Sequence, residues 1–245
     1  MRWQDALLLL APLSSPVFSG ALRDRARLAS AARRASLIGA GFALAFLPQL
    51  VVWQLLNGSL TPFGVISLRG RFAFSAPYLF GVLFSSFHGL FIWSPILLPA
   101  FIGLTLLATD DGRGKAMAVA VAAELYLLSA YAVAFGHGFG QRLFVSSLPI
   151  ATVGLALFIE RMAPRMPRLA AVAAVAAVWW NLSLMVQHST GMIPRNEGVS
   201  LRTLVQNQLI GVPQRLPTVV GRYLFDRGSL YKIDPLRRPT SGSSS

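Results

Sequence analysis

The chain has 245 residues and contains no cysteine. Disulfide bonds, thiolate catalysis and cysteine-based metal sites are therefore excluded. Its three histidines, His88, His137 and His188, are spaced about 50 residues apart. Because none of them forms an HxxxH or HExxH pair, the sequence predicts no histidine metal site and identifies no cofactor.

Charge is also scarce in this chain. Charged residues make up 13% of the sequence, whereas hydrophobic residues make up 54%. Soluble domains usually carry about 25% charged residues. The charges here lie in short blocks between long apolar runs, which is typical of polytopic membrane proteins because lipid cannot hydrate a charge. The sequence therefore predicts an all-α, polytopic transmembrane helix bundle.

The charges that are present are mostly positive, and the formal net charge is +13. Such an excess is also found in proteins that bind nucleic acid. The basic residues of this chain, however, lie at the ends of apolar runs and not on a solvated basic domain. We interpret them as signals of membrane topology, and we predict membrane lipid, not nucleic acid, as the partner.

Five apolar runs have the length of a membrane span, for which a helix needs about 20 mostly apolar residues. A shorter run at 5–20 contains two prolines. We interpret it as a partial N-terminal span, the end of a helix that begins before this chain. A cleaved signal peptide is the alternative, since small residues follow Phe18. The five full spans are predicted at 36–57, 92–109, 117–135, 143–160 and 169–187.

Two short loops between these spans are rich in arginine. Residues 23–34 hold five arginines and one aspartate, and residues 161–168 hold three arginines and no acid. Both loops fall on the same side of the membrane if the spans alternate, and the positive-inside rule makes that side cytoplasmic. We therefore predict a multi-pass protein of the inner (plasma) membrane, with residues 23–34 and 161–168 on the cytoplasmic side. Residues 58–91, the loop 136–142 and the tail from His188 then lie on the extracytoplasmic side.

The tail after the last span mixes apolar and basic residues. Its middle part, 200–225, has the composition of an interfacial helix pair lying on lipid headgroups. Its last residues, rich in serine, are typical of a disordered end. We thus divide the chain into a transmembrane region at 1–187, an extracytoplasmic interfacial tail at 188–232 and a disordered C-terminus at 233–245.

Glu124 is the one acid well inside a predicted span. A charge at the bilayer centre costs roughly 2.5–3.5 kcal/mol on insertion scales, so an intramembrane acid is a functional candidate. The alternative is a structural glutamate, protonated or hydrogen-bonded to Tyr126, to Tyr131 or to a neighbouring helix.

The loop GHGFGQR at 136–142 combines three glycines with His137, Gln141 and Arg142. Glycine allows a close approach of the backbone, and an arginine fork suits a phosphate. The loop is therefore a candidate anion site. The alternative is a tight turn with one positive residue at the headgroup level.

The segment FSSFHGLFIWSP at 84–95 places His88, two serines and Trp93 at the predicted outer end of the second span. Trp93 suits the headgroup level, and a proline is tolerated near the start of a helix. We expect these polar groups to face an outer vestibule. They are either the lining of a site or polar boundary residues with no further role.

Five segments of the chain, taken in order, carry a family resemblance. They are RWQDALLLL (2–10), FLPQLVVWQLLNGS (46–59), LFSSFHGLFIWSPILL (83–98), FGQRLFVSSLPIATVGLAL (139–157) and IPRNEGVSLRTLVQNQ (193–208). Together they resemble the C-terminal half of bacterial GT-C type integral-membrane glycosyltransferases. These enzymes are related to the glycosyltransferase 39, dolichyl-phosphate-mannose protein mannosyltransferase-like group. The resemblance extends over about residues 2–210.

This resemblance implies transfer of a sugar from a polyprenyl-phosphate donor on the extracytoplasmic face. It further implies that positive or donor groups stabilise the departing phosphate. The residues of this chain that match the outer face are then expected to line the site, with Arg142 nearest the phosphate. They are His88, His137, Gln141, Arg142 and, as a further candidate, Arg195.

The resemblance also implies a catalytic acid in the first extracytoplasmic loop of the family, where it acts as a base or binds a divalent metal. No segment of this chain matches that loop, and Asp5 does not match the acid. We therefore expect the chain alone to lack the catalytic acid, either as a truncated transferase or as a part of a longer enzyme. The sugar, the acceptor and the oligomeric state are not predicted.

Two other classes of function fit the same pattern. A transporter or flippase component would explain Glu124 and the proline-bearing spans without a catalytic acid. A non-catalytic membrane scaffold would explain the missing acid equally well.

Overall fold

The computed structural model describes residues 3–18, 25–60, 72–131, 140–162, 164–194 and 197–226. Within these ranges every regular secondary-structure element is a helix, and β-structure is limited to one isolated bridge between Phe72 and Tyr131. The prediction of an all-α protein is therefore confirmed.

Ten α-helices follow one another in the described part of the chain, with two 3-10 helices and one π-helical turn among them. In chain order the elements are a 3-10 helix Trp3–Leu9, α1 Leu10–Phe18, α2 Arg25–Asn57, α3 Leu79–Phe84, α4 Leu90–Trp93, α5 Leu97–Asp110, α6 Gly112–Ala130, a 3-10 helix Arg142–Ser147, α7 Leu148–Met162, α8 Pro167–Ser189, α9 Leu201–Gln206, a π-turn Asn207–Gly211 and α10 Val212–Phe225.

Three of the described helical stretches are long and apolar enough to cross a membrane. They contain the first, fourth and fifth of the predicted spans, so the chain has the helices of a membrane protein. These stretches are Arg25–Asn57, Arg142–Met162 and Pro167–Ser189.

The second predicted span is shorter than expected, whereas the helix of the third, α6, has 19 residues but begins five residues earlier than predicted. The helix breaks at Ser94–Pro95, where proline provides no backbone N–H, and this separates the four residues of α4 from the 14 of α5. Helix α6 ends at Ala130, because Tyr131 turns into an extended conformation. Residues 132–135 of the third predicted span lie outside the described residues. The count of five full spans therefore remains a prediction.

Helices α5, α6 and α7 form the packed centre of the protein. Where α5 crosses α7, Gly103 and Gly154 bring the two backbones together. A Cβ atom on Gly103 would lie 1.8 Å from the carbonyl oxygen of Gly154. Small residues at such crossings are characteristic of membrane helices, which associate by close packing. The 3-10 helix Trp3–Leu9 and α1, which cover most of the predicted partial span, pack along α6.

Helix α2 lies largely outside this centre. None of the residues in its most apolar 18-residue window is buried, and Ala31 near its start is its one buried residue. Its apolar surface is thus available to lipid.

The C-terminal helix is the last described part of the chain. The segment predicted as an interfacial helix pair is helical without a break from Leu201 to Phe225, because a π-turn joins α9 to α10. Residues 233–245, predicted to be disordered, lie outside the described residues.

Candidate functional site

The segment 84–95 forms a compact turn between α3 and α4. His88 has a φ of 62°, in the left-handed region that residues other than glycine seldom occupy. The hydroxyl of Ser85 accepts a hydrogen bond from the backbone N–H of Phe87 at 3.0 Å. The indole nitrogen of Trp93 donates to the carbonyl oxygen of Ser86, also at 3.0 Å. Two of the polar groups in this segment therefore stabilise the turn itself.

The turn places His88 in a histidine–tryptophan cluster, which consists of His88, Trp93 and His188. The ring of His88 lies 4.6 Å from that of Trp93 and 6.5 Å from that of His188, between ring centroids. Trp93 and His188 are 6.2 Å apart. His88 is only 1% exposed. Its ring is thus enclosed by aromatic neighbours and does not face an open vestibule.

The loop after α6 approaches the same cluster. Gly140 has a φ of 59°, and a Cβ atom on it would lie 3.8 Å from the Cβ of Trp93. Gln141 follows and is buried, and its side-chain nitrogen has no hydrogen-bond partner in the described part of the chain. Arg142, exposed, begins the next 3-10 helix. The contact with Trp93 therefore brings the predicted anion-binding arginine to the end of the protein that holds the histidine–tryptophan cluster.

Glu124 on α6 contacts the 3-10 helix that follows Gln141. Its carboxylate accepts a hydrogen bond from the hydroxyl of Ser147, and both residues are fully buried. Ser147 ends the 3-10 helix that Arg142 begins, so the bond ties this helix to α6. Tyr126, one of the partners considered from the sequence, donates instead to the carbonyl oxygen of Phe74 at 2.6 Å. Glu124 therefore joins α6 to the 3-10 helix Arg142–Ser147.

The C-terminal half of α8 lies beside the same cluster. The indole nitrogen of Trp180 donates to the carbonyl oxygen of Ile92 at 2.7 Å. Ser183 and Gln187 lie one and two turns further on and are buried. The Ser183 hydroxyl and both polar atoms of the Gln187 amide have no hydrogen-bond partner among the residues that the structure describes. Buried polar groups are rarely left without a partner, so these side chains are available to a bound water or ligand.

An apolar groove of about 610 Å³ runs beside these residues between α8 and the pair α5 and α7. One end lies at Met162 and Ala170, and the other at Ile92 and Trp180. Ile92 directly precedes Trp93, so the groove ends beside the histidine–tryptophan cluster. Its walls are aliphatic and aromatic side chains, with a row of small residues on α8. That row consists of Ala170, Ala173, Ala174, Ala176 and Ala177.

The described residues do not provide a metal centre of the kind that the resemblance implies. Within the described ranges, no group of three or more His, Cys, Asp or Glu side chains is close enough to hold a metal ion. One carboxylate oxygen of Glu124 accepts a hydrogen bond from Ser147.

The structure brings together some of the predicted site residues. His88, Gln141 and Arg142 gather at one end of the bundle, whereas Glu124 lies behind them. His137 and Arg195 lie outside the described residues. The sequence reasoning missed His188, Trp180, Ser183 and Gln187 as site residues. One signal was present, because the predicted topology places all three histidines on the same side of the membrane.

A scan against protein-family models, a search of curated proteins and a search of solved structures each found no match to this chain. The function therefore has to be inferred from the geometry of the site and from the resemblance in its sequence.

Proposed function

We propose that this chain is an integral membrane glycosyltransferase, or a part of one, that uses a polyprenyl-phosphate-linked sugar on the extracytoplasmic face. The observation that carries the proposal is the apolar groove, which ends beside a cluster of aromatic and polar side chains. A polyprenyl-phosphate sugar has the same two parts, a long apolar tail and a charged head rich in hydroxyls.

The groove suits the tail of such a donor. Ligand sites are usually apolar, with a few polar groups at defined positions that fix the orientation of the ligand. The small side chains of α8 leave room along the groove, and Trp180 marks the end where the polar residues begin. A tail in the groove would therefore place its phosphate near Trp93 and the loop that begins at Gly140.

Arg142 is the residue best suited to that phosphate. It is exposed at the start of its 3-10 helix, two residues after the glycine that contacts Trp93. When the bond between the anomeric carbon and the phosphate oxygen breaks, the electron pair remains on the polyprenyl phosphate. A guanidinium group stabilises that negative charge through paired hydrogen bonds. Gln141 and His188 form the neighbouring wall, and the buried ring of His88 packs behind His188.

The predicted topology is part of the proposal, with five full spans and residues 23–34 and 161–168 in the cytoplasm. It is supported by the contact between Arg161 and Asp110, which joins the ends of α7 and α5. The histidine–tryptophan cluster lies at the other end of these helices. The Arg161–Asp110 contact and the histidine–tryptophan cluster thus lie at opposite ends of α5 and α7, as the proposed topology requires.

Binding of undecaprenyl phosphate to the purified chain in detergent tests the groove. We expect Ala174→Phe, which fills the groove, to weaken binding about tenfold. Ala171→Phe places the same side chain outside the groove lining, on the exposed side of α8, and should leave binding unchanged. Equal affinities of both variants and the unmodified chain would contradict the proposal.

The phosphate role of Arg142 has its own test. We expect Arg142→Ala to weaken binding of undecaprenyl phosphate and to leave binding of undecaprenol, the uncharged alcohol, unchanged. A similar effect on both ligands would indicate a structural role for Arg142.

A flippase or transporter component remains the alternative, because a lipid-sized groove would serve it too. The bond between Glu124 and Ser147 favours a structural role for the acid that motivated this alternative. Movement of a labelled polyprenyl phosphate across proteoliposomes, without release of its sugar, would favour the flippase.

A further inference from the structure

The helix from Leu201 to Phe225 packs against the protein with a defined orientation about its own axis. Leu204, Gln208 and Val212 are buried along its inner side. The amide nitrogen of Gln208 donates to the carbonyl oxygen of Trp180 at 3.2 Å. The π-turn at 207–211 adds a residue to one turn, which keeps these three positions in line. The directions of the remaining side chains are therefore set by the packing.

One outer flank of this helix is apolar and uncovered. Leu209 is 70% exposed and Leu224 is 62% exposed. They belong to a row that recurs every three or four positions, which is the spacing of one helical face. This exposed apolar row consists of Val205, Leu209, Pro213, Pro217, Val220 and Leu224.

The other outer flank is polar and basic. Arg215 and Arg222 lie two turns apart and are exposed, with Thr218 between them and Gln214 directly before Arg215. Residues 201–225 contain three arginines and no acidic residue. Asp226 follows at the end of the helix, and with this one acid counted the segment still carries a net positive charge beside the apolar row.

We propose that this helix lies in the headgroup layer and binds anionic phospholipids through Arg215 and Arg222. The apolar row enters the boundary of the acyl chains, while the two guanidinium groups meet headgroup phosphates, as in other interfacial helices. Charge complementarity selects anionic over zwitterionic lipids, and each arginine near an anionic surface contributes roughly a fivefold preference. The sequence predicts an interfacial tail, and the structure adds its lipid-facing row and its lipid class. This role is independent of the proposed sugar transfer.

The depth of the helix can be measured with single-cysteine labels, because the natural chain contains no cysteine. The full chain would be labelled with an environment-sensitive fluorophore at Leu209→Cys or, as the matched polar position, at Gln214→Cys, and reconstituted in vesicles. We expect brominated lipids to quench the label at 209 and aqueous iodide to quench the label at 214. Equal quenching of both labels by iodide would overturn the proposal. A label at 209 that neither quencher reaches would also overturn it, since protein, such as a second copy, would then cover the row.

Lipid selectivity tests the two arginines. We expect the label at 209 to be quenched several-fold more strongly by brominated phosphatidylglycerol than by brominated phosphatidylcholine. The double variant R215Q/R222Q should remove this preference and leave the depth of the label unchanged. The control R113Q/R168Q removes two exposed arginines at the opposite end of the bundle and should retain the preference. Equal quenching by both lipids in the unmodified chain would overturn the proposed anionic selectivity.

Discussion

Trp180 and Ile92 are joined by a hydrogen bond of 2.7 Å from the indole nitrogen to the backbone carbonyl oxygen. Both residues line the end of the apolar groove, and Ile92 precedes the tryptophan that contacts His88. This hydrogen bond and the hydrophobic cluster that contains Trp93 and Leu184 connect the C-terminal half of α8 with the short helix α4. The width of the groove at this end depends on that connection.

Replacing Trp180 by phenylalanine should loosen this connection. The variant lacks the indole N–H, and loss of a hydrogen bond between neutral groups lowers the free energy of unfolding by about 1 kcal/mol. The same change at Trp179, which is exposed, should have a smaller effect. Unfolding in detergent, followed by circular dichroism, measures both variants. Equal losses at the two positions would show that the bond contributes nothing specific.

The crossing of α5 and α7 should not tolerate even one added methyl group. A Cβ atom on Gly154 would lie 2.2 Å from the carbonyl oxygen of Ala100, so the helices must move apart. We expect Gly154→Ala to lower the free energy of unfolding by about 1–3 kcal/mol. Gly41→Ala on α2 meets no atom within 4 Å and should be neutral or slightly stabilising. A neutral effect at Gly154 would contradict the close crossing.

The buried bond between Ser147 and Glu124 should contribute measurably to stability. We expect Ser147→Ala to lower the free energy of unfolding by about 1–2 kcal/mol. Glu124→Gln keeps an oxygen that accepts from the serine and should cost less than Glu124→Leu. Ser146→Ala, at the neighbouring and less buried position, is the control. A transport activity abolished by Glu124→Gln in a stable protein would instead favour the transporter.

The Asp110–Arg161 pair predicts a defined pH dependence. The hydrogen bond from Arg161 holds the pKa of Asp110 below its ordinary value of 3.8. A carboxyl with a lowered pKa in the folded state stabilises the protein above pH 3.8, and this contribution is lost as the pH falls through the folded value. The effect is small, because both side chains are partly exposed and screened by solvent.

Thermal unfolding of wild type and Asp110→Asn across this pH range measures the contribution. The difference between them should be constant well above pH 3.8 and should vanish in stronger acid. It should also shrink in high salt, because salt screens exposed charges. Asp111→Asn, at the adjacent exposed position, serves as the control for a lost negative charge. A difference that grows in acid would contradict the pair.

Much of the fold could be predicted from hydrophobic patterning. The runs at 36–57, 143–160 and 169–187 appear in the structure as long apolar helices, because length and composition suffice to specify a span. The run at 92–109, predicted as one span, is divided into two helices in the structure. Its apolar composition continues through Ser94 and Pro95, but the missing backbone N–H of proline divides the helix there.

The candidate site could be predicted only in part. Topology placed His88 and the loop 136–142 on the same side, and the structure brings His88 close to Gly140 through their common neighbour Trp93. The predicted topology could not identify His188 as the second histidine of the cluster. That contact joins residues 100 positions apart, and their separation in space depends on how α8 packs.

The sequence by itself determined the helical class and the three apolar helices long enough to cross a membrane, because these depend on local composition and on the cost of placing charge in lipid. Tertiary structure alone decided that Glu124 meets Ser147, that two glycines bring α5 and α7 into contact, and that His88 and His188 share one cluster. These contacts depend on the shapes of side chains on distant helices. Such packing is specified only when all of the helices fold together.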